Sequence, residues 1–394
     1  MASRRFTLPD IQVLSKDQER ARLLPREGRH LVVGGPGTGK SIVALLRTRQ
    51  HHRPTGGQEY VFLAYNRLLL EACRELVGQA VNAHPWMTWF KGIYKRTLGQ
   101  SCPVIGGQAF ALDWKAILEA VAMAPDLPPP LTPFVIIDEG QDMPPEFYQA
   151  LLQLDFEHCF VVADQNQRIT AENSSLHQIA VELDIHPDAR LELTDNYRNC
   201  DRVAQLALAL YIEDPASPRP KLSVARPCIR EPLLIDYGPG CTWDFADLIQ
   251  RILKAADRDP ARLYGIITPD NVSRKRWLQA LHHHPVKLDQ GRPRILTYAS
   301  EEAEGDHRFS EGGIFVINAH SAKGLEFDTV FLADIDGYRC APENRDQRDD
   351  LKRLFYVMIS RARDQVVLLR RGDYPCPADV ILPLQDPNLL THWR

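Results

Sequence analysis

The sequence lacks a run of apolar residues long enough to cross a membrane, for which about 18 consecutive residues are needed. Its first residues include two arginines, but Pro9 and Asp10 interrupt the apolar centre that a signal peptide requires. We therefore expect a cytoplasmic protein that does not bind a membrane.

The sequence also lacks an excess of either charge. Lys and Arg number 47 and Asp and Glu number 51, which gives a net charge of −4. This balance excludes a uniformly basic surface, so any nucleic-acid binding must come from local patches. The hydrophobic content of 44% argues against long disordered segments.

Paired cysteines are missing as well. No CxxC pair is present, and no cysteine has histidine partners at zinc-finger spacing. We expect reduced, mostly buried thiols. The three histidines at 282–284 have two interpretations, a metal-binding tract or a helix end that enters a polar loop. The eight cysteines stand singly at positions 73, 102, 159, 200, 228, 241, 340 and 376.

Short apolar runs of strand length are frequent, and stretches with helical spacing separate them. Runs that are apolar at every position are typical of strands buried on both faces, as in parallel sheets. The alternation predicts an α/β fold in which helices cover parallel sheets. Two proline-rich stretches, 125–133 and 215–232, are predicted to be linkers or extended surface segments. The predicted strands are 30–33, 60–64, 134–137, 159–162, 233–235, 264–267, 314–317, 329–332 and 366–369.

A phosphate-binding loop is the strongest local motif. Residues 34–41 (GGPGTGKS) match GxxxxGK[ST] in full and lie between a predicted strand and a helical segment. Backbone N–H groups of such a loop surround an anionic phosphate. Lys40 is predicted to reach the β- and γ-phosphates, and the Ser41 hydroxyl to ligate Mg²⁺. The loop residues predicted to bind the nucleotide are Gly35, Pro36, Gly37, Thr38, Gly39, Lys40 and Ser41.

An acidic motif follows another predicted strand. Residues 138–142 (DEGQD) begin where the apolar run 134–137 ends, at the sheet edge where ligands of parallel sheets bind. Asp138 is predicted to hold Mg²⁺, and Glu139 to orient and deprotonate the attacking water. Together with the phosphate loop, this motif predicts nucleotide hydrolysis.

Six sequence elements in order resemble the motifs of superfamily 1A helicases of the UvrD/Rep/PcrA type. The resemblance extends from residue 14 to residue 363 and implies two RecA-like P-loop NTPase domains. The elements that carry it are 14–18 (LSKDQ), 138–142 (DEGQD), 163–169 (ADQNQRI), 193–199 (LTDNYRN), 320–327 (HSAKGLEF) and 353–362 (RLFYVMISRA).

The resemblance implies roles for residues of both domains in binding and hydrolysing ATP. Gln18 would recognise adenine through its amide, and Tyr197 would stack on the base. Gln167 would contact the γ-phosphate, and Glu326 the ribose. Arg198 and Arg361 would act as arginine fingers that stabilise charge on the transferring phosphoryl group. In this family the site is completed in the cleft between the domains.

The resemblance also implies that single-stranded DNA is the partner. Residues 86–96 (WMTWFKGIYKR) combine aromatic and basic residues, which suits stacking on bases beside phosphate neutralisation. An amphipathic helix with a buried aromatic face explains the same pattern equally well. RNA, or a duplex with a single-stranded tail, is an alternative partner. The predicted nucleic-acid contacts are Tyr65, Asn66, Thr88, Trp89, Phe90, His320 and Ser321.

The sequence departs from the family in size and in two motifs. Residues 170–175 (TAENSS) contain no aromatic residue where the family has one, and Lys91 replaces a histidine. The intervals that hold large accessory subdomains in the family are short here. We expect domains at 1–190 and 191–394, with a small insert near 91–133 and a reduced insert within 212–313.

The resemblance implies an ATP-dependent translocase and helicase that moves 3′ to 5′ on single-stranded DNA. The alternative is an ATP-hydrolysing regulatory subunit of a DNA repair or defence complex. Such a subunit would control a partner nuclease. No nuclease motif is recognisable in this sequence, so any cleavage would need that partner.

Overall fold

The computed structural model describes two compact units. The first contains the described residues between 8 and 194 together with Arg219, and the second contains those of 195–213 and 220–393. The described residues are 8–55, 59–65, 67–78, 80–108, 111–124, 130, 134–164, 173–213, 219–222, 226–228, 230–298, 309–372 and 374–393.

The first unit is a six-stranded sheet covered by helices. Its strands are β1 (Arg29–Gly34), β2 (Tyr60–Ala64), β3 (Ala83–Pro85), β4 (Phe134–Ile137), β5 (His158–Ala163) and β6 (Arg190–Leu193). They pair in parallel in the order β3-β2-β4-β5-β1-β6. Its helices are α1 (Lys16–Arg22), α2 (Lys40–Thr55), α3 (Arg67–Val77), α4 (Trp86–Leu98), α5 (Trp114–Ala122), α6 (Pro145–Gln153) and α7 (Leu176–Glu182).

The central strands of this sheet are buried on both faces, which explains why they are apolar at every position. Along β1, Leu31 and Val33 join a core cluster with residues of α4 to α7. Val32 points to the opposite face and joins a cluster with residues of α2 and α3. This alternation is the period of two that a strand imposes on its side chains.

The second unit is a seven-stranded sheet. Its strands are β7 (Leu233–Tyr237), β8 (Leu263–Thr268), β9 (Ile295–Thr297), β10 (Gly313–Asn318), β11 (Phe327–Leu332), β12 (Ala362–Arg371) and β13 (Thr391–Trp393). They pair in parallel in the order β13-β7-β12-β11-β8-β10-β9. Its helices are α8 (Asp201–Ala209), α9 (Phe245–Arg258), α10 (Asn271–His283) and α11 (Arg345–Ile359).

The predicted fold class is confirmed: the protein is α/β, with two RecA-like domains whose parallel sheets are covered by helices. The nine predicted strands all lie within observed strands, whereas β3, β6, β9 and β13 were not predicted. Helix α10 ends at His283, so residues 282–284 form a helix end. Among the described residues, no helix has the length and apolar character needed to span a membrane. The predicted domain boundary and inserts remain predictions.

The expectation that the cysteines are unpaired is wrong for two of them. Cys200 and Cys228 form a disulfide, with their Cα atoms 5.1 Å apart. The chain brings the two residues together because the backbone N–H of Asp201 donates to the carbonyl of Arg226. The backbone N–H of Cys228 in turn donates to the Asp201 carboxylate at 2.9 Å.

A buried arginine joins α1 to α2 in the first unit. Arg47 of α2 is 1% exposed, and its guanidinium lies 4.4 Å from the ring centroid of Phe160. It donates hydrogen bonds to the carbonyl oxygens of Arg22, Leu24 and Pro25 at 3.2, 2.7 and 2.8 Å. These carbonyls belong to the C-terminal end of α1 and the residues that follow it. Burial lowers the pKa of Arg47 to about 10, so the group remains a cation at neutral pH.

Candidate functional site

The predicted phosphate loop connects the end of β1 to the start of α2. β1 ends at Gly34 and α2 begins at Lys40, so residues 35–39 lie at the carboxyl edge of the sheet, beside a helix N-terminus. Gly37 and Gly39 have φ angles of 77° and 89°, a region that favours glycine. A Cβ on Gly39 would lie only 2.4 Å from Nε2 of Gln18, so a side chain at this position would have to displace the Gln18 amide.

Lys40 and Ser41 each contact a carboxylate from a neighbouring strand end. The Lys40 Nζ donates to the Gly35 carbonyl at 2.8 Å and lies 3.6 Å from Oδ2 of Asp164. The Ser41 hydroxyl donates to Oδ1 of Asp138 at 3.1 Å. These contacts follow from the strand order, because β5 lies between β1 and β4 and all three strands end at the same edge.

Asp138 has the features expected of a metal ligand. Its side chain is fully buried, and its Oδ2 has no hydrogen-bond partner. Burial, and then the neighbouring Glu139 carboxylate, raise the pKa of Asp138 to about 7. The Ser41 hydroxyl and the Asp138 carboxylate are hard oxygen ligands of the kind Mg²⁺ prefers, so these residues fit that ion.

A buried glutamine connects Glu139 to Asp164. Glu139 has a φ angle of 55°, which is unusual for a residue with a side chain. Nε2 of Gln141 donates to Oε2 of Glu139 at 2.7 Å, and Oε1 of Gln141 accepts from the backbone N–H of Asp164 at 2.9 Å. The prediction from sequence gave no role to Gln141 or Asp164, although both lie within quoted motifs.

Gln18, predicted to recognise adenine, is held by protein groups at both ends of its amide. Its Oε1 accepts from the backbone N–H of Ser15 in the capping box that starts α1. Its Nε2 donates to the Thr38 carbonyl at 2.9 Å. The side chain therefore lies directly against the phosphate loop.

In the second unit, Arg198 and Glu326 form an ion pair. Nη2 of Arg198 lies 2.5 Å from Oε1 of Glu326. Nε and Nη1 of Arg198 are buried without a hydrogen-bond partner. Tyr197 is 41% exposed, and its hydroxyl donates to Asp195 at 3.0 Å. The exposed ring is compatible with stacking, and Arg198 has donors to offer a further anion.

Arg361 is close in the fold to the turn that carries Arg198. It follows α11, is 1% exposed, and donates from Nε to the Val357 carbonyl at 3.1 Å. The amide of Asn199 donates to the carbonyls of Ser360, at 3.0 Å, and Ala362. The Asn199 side chain therefore joins two of the predicted helicase motifs.

The predicted nucleic-acid contacts are found in different environments. Thr88 and His320 are exposed, Tyr65 and Ser321 are half-buried, and the backbone N–H of Ser321 donates to the Asn318 side chain at 2.9 Å. Asn66 lies outside the described residues, as does Gln167 of the nucleotide site.

The rings of Trp89 and Phe90 belong to the core. Phe90 is fully buried and packs against Trp114 and Phe147, with ring centroids 5.2 and 5.7 Å apart. Trp89 is 9% exposed and packs edge-on against Phe156. Predicting these rings as nucleic-acid contacts is wrong for this conformation, because α4 points its aromatic face inward. The other interpretation, a buried aromatic face, describes the structure.

Comparisons with known proteins support the resemblance for the second unit. Residues 293–370 match the family described as UvrD-like helicase C-terminal domain. This segment contains strands β9 to β12 and the motifs at 320–327 and 353–362. No curated protein matches the chain.

One solved structure that is similar to this chain is the C-terminal domain of a possible DNA helicase from Lactobacillus plantarum WCFS1. It is 18% identical to this chain, with a TM-score of 0.33. The alignment covers 50% of this chain and 97% of the other.

Proposed function

We propose that the chain is an ATP-dependent translocase and helicase of the UvrD-like type, which moves 3′ to 5′ on single-stranded DNA. The observation that carries the proposal is the convergence of Lys40, Ser41, Asp138 and Glu139 at one sheet edge. The family match of residues 293–370 supports the helicase assignment.

The first unit would bind ATP and activate the attacking water. Lys40 would exchange its contacts with Gly35 and Asp164 for the β- and γ-phosphates. Ser41 and Asp138 would hold Mg²⁺, which would neutralise charge on the phosphate oxygens. The Glu139 carboxylate would orient the water and accept its proton.

The second unit would contribute cations in the ATP cleft between the two RecA-like domains. Arg198 and Arg361 would stabilise charge on the transferring phosphoryl group. For Arg198, the donors Nε and Nη1 would serve this role, while Nη2 keeps its ion pair with Glu326. Tyr197 would stack on the base, and Gln167 would contact the γ-phosphate.

The proposed nucleic-acid contacts are to the sugar-phosphate backbone. Thr88 and His320 are exposed, and neither is part of an apolar core cluster. Because Lys and Arg side chains that neutralise phosphates release bound counterions, DNA affinity should fall steeply as the salt concentration rises. An affinity that does not change with salt would count against a backbone-binding site.

The first experiment is a steady-state ATPase assay with and without single-stranded DNA. We expect DNA to stimulate hydrolysis by the wild-type chain, and hydrolysis to be slower by about 100-fold or more in Glu139→Gln, which keeps the shape of the side chain but cannot accept the proton. Strand-displacement assays with 3′- or 5′-tailed duplexes then test polarity, and RNA serves as the comparison substrate. Full ATPase activity in Glu139→Gln would refute the proposed mechanism.

The regulatory alternative is favoured by one observation. The rings of Trp89 and Phe90 are buried, and residues 170–175 contain no aromatic residue, so the first unit has fewer candidates for base stacking. A subunit that hydrolyses ATP and controls a partner nuclease would need fewer contacts with DNA than a translocating helicase needs. ATPase activity that DNA does not change, together with no strand displacement, would favour this alternative.

A further inference from the structure

The side-chain amide of Gln141 makes two directional contacts, one with the proposed water-activating carboxylate of Glu139 and one with the backbone N–H of Asp164. Its side chain is fully buried in the turn that follows β4. The backbone N–H of Asp164 can only donate, so it fixes which end of the amide is Oε1. Nε2 then faces Glu139 and donates to Oε2 of its carboxylate at 2.7 Å. The amide orientation follows from the network of donors and acceptors.

The backbone of the same turn holds a second segment. The Gln141 carbonyl accepts from the backbone N–H of Ser174 at 3.1 Å. The Ser174 hydroxyl donates to the Met143 carbonyl at 2.7 Å. Gln141 and its neighbours thus hold both Asp164, at the end of β5, and Ser174, before α7.

Asp164 extends this connection to the phosphate loop. Its carboxylate lies 3.6 Å from Lys40 Nζ, and both side chains are buried. A continuous path of polar contacts therefore runs from Glu139 through Gln141 and Asp164 to the lysine that would bind the phosphates.

We infer that Gln141 is a positioning residue, which fixes the position of the Glu139 carboxylate relative to Lys40 for hydrolysis. The inference rests on the proposed function, because it assumes that Glu139 activates water. Gln141 itself need not touch the nucleotide. A misplacement of about 1 Å in a reacting group can lower a rate about 100-fold, so such positioning has a measurable effect.

The test compares Gln141→Met with wild type in turnover and in nucleotide binding. Methionine keeps the volume but removes both hydrogen bonds. We expect kcat to fall by about 10- to 100-fold, while the Kd of a fluorescent ATP analogue changes less than about threefold. A kcat within about twofold of wild type would overturn the inference, as would a Kd that rises in parallel with the loss of turnover.

A double-mutant cycle separates positioning from general damage. If Gln141 acts through Glu139, the Met substitution lowers kcat in wild type but has no further effect in the Glu139→Gln background. Residual turnover that falls by the same factor in both backgrounds would contradict the inference. The matched control is Gln178→Met, the same change at an exposed glutamine that caps α7, which should leave kcat unchanged.

A second variant separates loss of positioning from loss of folding, and one result marks failure of the proposed function. If Gln141→Met melts at a much lower temperature, Gln141→Asn replaces it, since it keeps a neutral amide but is one methylene shorter and cannot reach both Glu139 and the Asp164 N–H. This variant should also lose turnover, and an unaffected kcat in it would overturn the inference. Failure of the proposed function is a different result: Glu139→Gln would then hydrolyse ATP at the wild-type rate.

Discussion

Replacing Lys40 with alanine should abolish ATP hydrolysis and also destabilise the protein without nucleotide. The Lys40 ammonium is 6% exposed and lies 3.6 Å from the fully buried Asp164 carboxylate. At an effective dielectric constant of about 20, that separation corresponds to an attraction of about 4–5 kcal/mol. Removal of one partner from a buried pair lowers the free energy of unfolding by about 3–5 kcal/mol. The Gly35 carbonyl also loses the Lys40 ammonium, but it keeps the Thr38 hydroxyl as a donor at 2.8 Å and should add little to this loss.

A double variant tests whether the loss of stability comes from the buried carboxylate. Asp164→Asn in the Lys40→Ala background removes the buried charge that has lost the Lys40 ammonium, so it should restore about 2 kcal/mol or more of the free energy of unfolding. It should not restore ATPase activity. Urea titration at neutral pH measures the first quantity, and phosphate release measures the second.

The matched control is Arg29→Ala, which removes an exposed ion pair with Asp184 from the same unit. An exposed pair contributes about 1 kcal/mol or less, so this variant should unfold at almost the same urea concentration as wild type. If Lys40→Ala is as stable as Arg29→Ala, the buried pair does not have the energetic role described. ATPase activity near wild type in Lys40→Ala would refute the phosphate-loop assignment itself.

Three other changes give defined outcomes. Arg361→Ala should lower kcat by at least about 100-fold and change nucleotide Kd much less; loss of nucleotide affinity instead would contradict the finger role. Reduction of the Cys200–Cys228 disulfide, which joins residues 28 apart, should lower the free energy of unfolding by about 3–4 kcal/mol, whereas unchanged urea denaturation in dithiothreitol would disprove the effect. Burial lowers the pKa of His51 to about 4. Below a pH of about 6.5, His51 is therefore protonated in the unfolded chain but stays neutral in the folded protein. Stability should therefore fall between pH 6.5 and about 4, and less steeply in His51→Gln; equal slopes would rule out this contribution.

Strands buried on both faces could be predicted from sequence because their environment permits almost no polar residue. Tyr60–Ala64 is apolar at every position and is fully buried. Ala83–Pro85 and Thr391–Trp393 were missed since each has three residues, includes a histidine, and lies at the edge of its sheet. A strand of that length has too few residues to show a periodic pattern.

The candidate site was predictable where its residues are neighbours in the chain. The phosphate loop and the residues Asp138 and Glu139 follow from local spacing at strand ends. The contact of Gln141 with Asp164 depends on strand order, which brings together residues 23 positions apart. The aromatic residues of α4 gave no unique answer, because an amphipathic helix shows the same spacing whether its apolar face is in the core or on a ligand.

The buried guanidinium of Arg47 has a mechanical consequence for the first unit. It bonds three carbonyls at and after the end of α1, while its own helix begins with Lys40. Helices α1 and α2 are therefore joined by Arg47, away from the phosphate loop, as well as by the contact of Gln18 with that loop. A displacement of the N-terminal end of α2 should therefore move α1 with it, so we expect the two helices to move as one rigid body.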